Sequence, residues 1–171
     1  MKQFACITLL TTMLFSAIAL CSCEPATWTY SPEELMNEVV KVELVYFPTV
    51  ENPVKHKEKL NNVKSINFDE ATFIQELSQD QYSDFFDKLS GVVFDEDYYS
   101  IDYPMGYTLL MHERDGEILV LSWYATSDNN YCLHAKYDSN GNFIEQFTSF
   151  LTVIQFEQLL LEFFNVSPRD L

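Results

Sequence analysis

The stretch from Tyr107 to Phe147, YTLLMHERDGEILVLSWYATSDNNYCLHAKYDSNGNFIEQF, constrains the fold of this chain more than any other. Four apolar runs are separated there by Arg114-Asp115-Gly116, Ser127-Asp128-Asn129-Asn130 and Asp138-Ser139-Asn140-Gly141-Asn142. Gly reaches positive φ without steric cost, and Asn and Asp side chains bond back to their own backbone, so each interruption can reverse the chain. The pattern predicts a four-stranded antiparallel meander. Such a scaffold positions functional groups without naming a function.

Helices are predicted on either side of the meander. Ser78-Gln79-Asp80-Gln81 reads as a capping box, followed by Tyr82, Phe85, Phe86 and Leu89 at helical spacing, with Gly91 closing the helix. Thr152-Val153-Ile154-Gln155 reads as a second box, ahead of Phe156, Leu159, Leu160 and Phe163, with Ser167-Pro168 ending that helix. Near the start, Ser31-Pro32-Glu33-Glu34 predicts a brief helix to about Asn37. The β-branched and aromatic run Val39–Phe47 then predicts a strand, with Val40, Val42, Leu44 and Tyr46 on one side. Val63–Phe68 is expected as a short strand hairpinned to it. Asp69 can cap a turn carrying Phe73, Ile74 and Leu77, or the same piece can be extended.

These elements add up to an α+β domain: an antiparallel meander sheet of five or six strands with two amphipathic helices packed on one face. The chain of 171 residues divides into a leader at 1–22, a tether and short helix at 23–38, and a single domain at 39–166. With 47% hydrophobic and 15% aromatic residues the domain has the apolar content to fold despite a net charge of −16. That charge repels a phosphate backbone, which argues against a nucleic-acid partner. It is also uneven. Lys55, Lys57, Lys59 and Lys64 cluster in one segment, while Lys88, Arg114, Lys136 and Arg169 are the cations after Ser65.

The leader is Met1-Lys2-Gln3 followed by an apolar run from Phe4 to Leu20, a signal-peptide arrangement. Leu20-Cys21-Ser22-Cys23 resembles the lipobox of bacterial lipoproteins, with Cys21 at the variable second position as a departure from the usual pattern. The resemblance covers only these residues; no family is recognised in the mature domain. It implies lipidation of Cys23, a membrane anchor on the extracytoplasmic side of the cell envelope, and Cys132 left as a lone thiol. Two other readings stay open: cleavage after Ala17-Ile18-Ala19 by an ordinary signal peptidase, giving a secreted chain, and an uncleaved anchor, for which the run is short against the roughly 20 residues a span needs.

Catalytic groups do not assemble in the sequence. Folding the meander on its turns places His112 near Ile118 and His134 near Trp123, too far apart to share a ligand, and His56 falls in the basic segment. Asp138–Asn142 begins like a calcium loop, but Phe143 stands where Gly is needed and no bidentate Glu follows. Ser122 lies within a strand rather than at a nucleophile elbow. Phe85, Phe86, Phe163 and Phe164 sit on or beside the core stripes of helices, so packing accounts for them. The acidic, tyrosine-rich loop is different: Asp95, Asp97, Tyr98, Tyr99 and Tyr103 are the candidate partner-binding residues, since tyrosine rings beside carboxylates suit a basic protein or a glycan. No metal or cofactor site is expected. The function expected is a non-enzymatic, lipid-anchored binding module of the envelope. Alternatives are an acidic immunity or inhibitor protein that neutralises a basic toxin or enzyme, and an envelope hydrolase using Asp95, Asp97 and Asp102.

Overall fold

The structure, a computed structural model, describes residues 27–48, 65–96, 106–122 and 131–167. Ser31 caps helix α1 (Pro32–Glu38) as its spacing predicts: its hydroxyl accepts the Glu34 N–H at 3.0 Å, and its own N–H donates to the Glu34 carboxylate at 3.2 Å. These bonds satisfy donors that a helix start otherwise leaves open. Leu35 of α1 is fully buried, and the preceding strand β1 (Thr27–Thr29) pairs with strand β4 (Val93–Glu96). Residues 27–38 therefore belong to the folded body rather than to a tether.

Strand β2 (Val39–Phe47) pairs with β5 (Gly106–Glu113) on one side and β3 (Thr72–Glu76) on the other. Here one expectation is corrected. The strand beside β2 is Thr72–Glu76, not Val63–Phe68. Within that segment Ser65 makes a single bridge to Asn142, and Phe68–Glu70 forms a 3₁₀ turn because the Asn67 side chain accepts the Asp69 N–H at 3.1 Å. Phe73 and Ile74 take the extended alternative. The row Val40 to Tyr46 is also interrupted: the pairing of β2 with β5 shifts between Val39 and Lys41, so Val40 is exposed while Val42 and Leu44 are buried.

Helix α2 (Tyr82–Ser90) buries Tyr82, Phe85, Phe86 and Leu89 as their spacing requires. Its entry differs from expectation. Ser78 offers no cap to the backbone; its hydroxyl donates to the Asp80 carboxylate, and a 3₁₀ turn at Gln79–Gln81 leads into the helix. Gly91 closes it at φ −80°, a conformation any residue adopts.

Past β5 come β6 (Ile118–Ser122), β7 (Tyr131–Tyr137), β8 (Phe143–Thr152) and helix α3 (Val153–Phe164). The meander is formed, and His112 pairs with Ile118. The sheet is antiparallel throughout, in the order β1-β4-β8-β7-β6-β5-β2-β3. Six of the eight strands make its body; β1 and β4, of 3 and 4 residues, extend one edge.

Both faces of this α+β sheet are buried, by unequal covers. Val42, Leu44, Leu109, Met111, Leu119 and Leu121 face the three helices, with Phe85 at the centre in edge contact with Phe163 and Phe164 at 5.2 and 6.4 Å. Burying each such side chain contributes about 1.5–3 kcal/mol. On the other face Val45, Phe47, Leu110, Val120, Ala135 and Tyr137 pack under the strap 65–71, through Ile66 with Phe68 and Ala71. Among the described residues no helix is long and apolar enough to cross a membrane.

Candidate functional site

A groove of about 470 Å³ opens on the face that no described helix covers, where β2, β3, β5 and β6 meet the strap. Alternation along the strands brings Val45, Leu110 and Ile118 to its floor, and Phe68, Ala71 and Phe73 wall it. Glu43 and His112, neighbours across the β2–β5 ladder, reach its rim. Glu43 is held from two sides, by the Lys41 ammonium at 2.8 Å and by His112 Nε2 at 2.7 Å.

The turn between β5 and β6 bounds one end of the groove and is stiffly built. Gly116 sits at φ +93°, Asp115 accepts the Glu117 N–H at 2.9 Å, and Arg114 donates through Nε to the Asn37 carbonyl at 2.5 Å, tying the turn to α1. Glu113 continues the row of Leu109 and Met111, so its side chain is on the helix side of the sheet, opposite to His112. There Lys136 Nζ lies 3.0 Å from Glu113 and 2.8 Å from Glu117. Burial pushes the Glu113 carboxyl above its usual range, against the pull of Lys136. For Lys136, burial acts downward, but hydrogen bonds to Glu117 and Glu113 outweigh it and hold the ammonium above its ordinary value. Carboxylate oxygens of Glu113, Asp115 and Glu117 come within 4.8 Å of one another, a spacing a cation can bridge; the Lys136 ammonium already sits on two of them.

The other titratable groups face inward. His134 pairs with Leu121, two residues from the expected Trp123, and lies on the opposite face from His112. Its Nε2 is 3.3 Å from the Tyr30 hydroxyl, and burial in the core pushes its pKa down to about 3. Cys132 is buried among core side chains, which pushes its thiol up to about 12. Ser122 is fully buried, its hydroxyl 2.9 Å from that of Thr108. The Asp138 carboxylate accepts from the backbone of Asn140 and Asn142 and from the Asn142 amide, each at 2.8 Å, so those oxygens build a hairpin turn. Phe85, Phe86, Phe163 and Phe164 are buried in the core.

Of the loop residues singled out from the sequence, Asp95 is on β4, paired with Thr27 and Thr148, at the sheet edge opposite to β3 and the groove. Asp97, Tyr98, Tyr99, Asp102 and Tyr103 lie outside the described residues, as do Cys23, His56 and the lysine cluster. Sequence reasoning missed the groove. The signal available was charge inside strands, at Lys41, Glu43 and His112, but joining them needs the β2–β5 register. Compared with known proteins, the chain matches no family model, no curated protein and no solved structure.

Proposed function

We propose that this chain is a non-enzymatic binding module, fastened to the cell envelope by lipid on Cys23, whose groove beside the strap holds a partner. The observation that carries the reading is the groove itself: an apolar floor with a charged rim, on a sheet braced from both sides. Support also comes from the state of the chemistry-bearing groups. His112 is bound to Glu43, Glu113 to Lys136, and His134 and Cys132 are sealed in the core with their pKa values pushed away from neutrality. A reacting group needs the reverse, an accessible position and a pKa near the working pH. The Leu20–Cys23 lipobox supports the anchor, and diacylation with a further acyl chain holds a domain at a bilayer where one chain does not.

The test is capture from envelope extract by the full lipidated chain, alongside Phe73→Asp, which places a charge on the groove wall at a position 57% exposed. Wild type should retain a partner that the variant loses while both show the same circular dichroism. Equal capture by both would remove the groove from the reading. Partition into the detergent phase should vanish with Cys23→Ala. The inhibitor alternative differs in its partner, a basic toxin or enzyme, and predicts a complex that weakens steeply between low and high salt.

A further inference from the structure

Among the described residues β3 ends the sheet, and every residue from Thr72 to Glu76 is exposed, including Phe73 at 57% and Ile74 at 40%. An edge strand presents a row of peptide groups to solvent, and natural edges are blunted with Lys, Pro, bulges or covers. β3 has neither Lys nor Pro, and its bulge falls at Ile74, the residue skipped in the pairing with β2. The Leu77 N–H donates to the Val42 carbonyl at 2.9 Å; by the alternation of an antiparallel ladder, the peptide groups of Glu76 turn outward.

Charge narrows what this edge accepts. Glu76 stands directly opposite Glu43 in the β2–β3 register, and like charges at facing positions repel. Lys41 and His112 serve Glu43, whereas Glu76 has no ion pair among the described residues. A second copy bringing its own β3 would set two acidic chains, each of net charge −16, against one another. A cationic strand meets no such repulsion. Its alternate side chains would lie over Phe73, which already walls the groove, so backbone pairing and groove contact come from one ligand.

We propose that β3 is a docking edge for an extended basic segment of a partner protein, which adds as a further strand and places a Lys or Arg beside Glu76. This deepens the binding-module reading and rests on it. The test titrates the full chain in detergent with a labelled, blocked peptide alternating lysine with valine. Binding should weaken at least tenfold for the same peptide N-methylated at alternate residues, for Glu76→Lys, for Phe73→Ala and at high salt, and amides of Phe73–Glu76 should gain exchange protection. Equal binding of the methylated peptide would reduce the effect to charge attraction, and a salt-stable dimer abolished by Glu76→Lys would give the edge to a second copy; either overturns the inference. Peptide failure beside successful envelope capture retires the strand-addition inference and leaves the binding-module reading intact. Failure of both sinks both.

Discussion

Ile66 donates its N–H to the Gly141 carbonyl at 2.8 Å, and its own carbonyl oxygen lies where a β-carbon on residue 141 would have to go. Gly141 also sits at φ +78°. The β7–β8 hairpin and the strap thus share one contact, closed by the absence of a side chain. Gly141→Ala should cost about 3 kcal/mol, part left-handed backbone and part displacement of the strap. Gly116→Ala, at φ +93° with nothing within 4 Å, should cost about 1 kcal/mol. Urea denaturation of the two variants checks the difference.

Lys136 neutralises a carboxylate that the fold has taken out of water. Lys136→Met should destabilise by about 3 kcal/mol near neutral pH, since it leaves Glu113 buried and uncompensated. The folded pKa of Glu113 is raised, so the cost of its charge is present above that pKa and disappears as pH falls through it. The deficit of Lys136→Met relative to wild type should therefore shrink on acidification. Thermal melts across a pH series would show it; a constant deficit would contradict this account.

His134 gives a second pH dependence. Its folded pKa, about 3, lies below the ordinary 6.5, so the unfolded chain takes up the proton first. Its contribution is fully present above pH 6.5 and is lost progressively down to about pH 3, on the order of 5 kcal/mol in all. His134→Leu should flatten the stability profile across that window. An unchanged slope would show that other groups set it.

Cys132 should resist alkylation in the native protein. Its thiol is buried and its pKa is pushed up to about 12, so almost no thiolate is present at neutral pH. Peptide mapping after iodoacetamide should find the Cys132 peptide modified in denaturant and unmodified without it.

What could be read from the sequence was local. The Ser31 capping box, the stripe of Tyr82, Phe85, Phe86 and Leu89, and the hairpin turns at Gly116 and Gly141 are patterns within a few residues, and the structure contains them. The pairing of β2 with β5 and β3 is not local, because the chain between the partners does not dictate which strands meet. Val63–Phe68 had the composition of a strand, but Asn67 turned its end into a 3₁₀ turn and the edge position went to Thr72–Glu76. The groove was hidden for the same reason: Glu43 and His112 are 69 residues apart and become neighbours only through that pairing. Ser78 shows a different limit, since its hydroxyl could either accept a backbone N–H or donate to a carboxylate, and donation to Asp80 prevailed.

The unequal covers of the sheet have a consequence for motion. Three helices share one interdigitated core on one side, whereas the strap over the other is pinned to the β7–β8 hairpin by the Ser65–Asn142 bridge, of which the Ile66–Gly141 hydrogen bond is part, and by the packing of Ile66. Lifting the strap uncovers Ile66 and the side chains beneath it but leaves the strand ladders whole, so it should detach in excursions smaller than global unfolding. In native-state hydrogen exchange the amide of Ile66 should then lose its deuterium protection well before those of Leu109, Leu119 and Ala135, marking the breathing half of an otherwise rigid body.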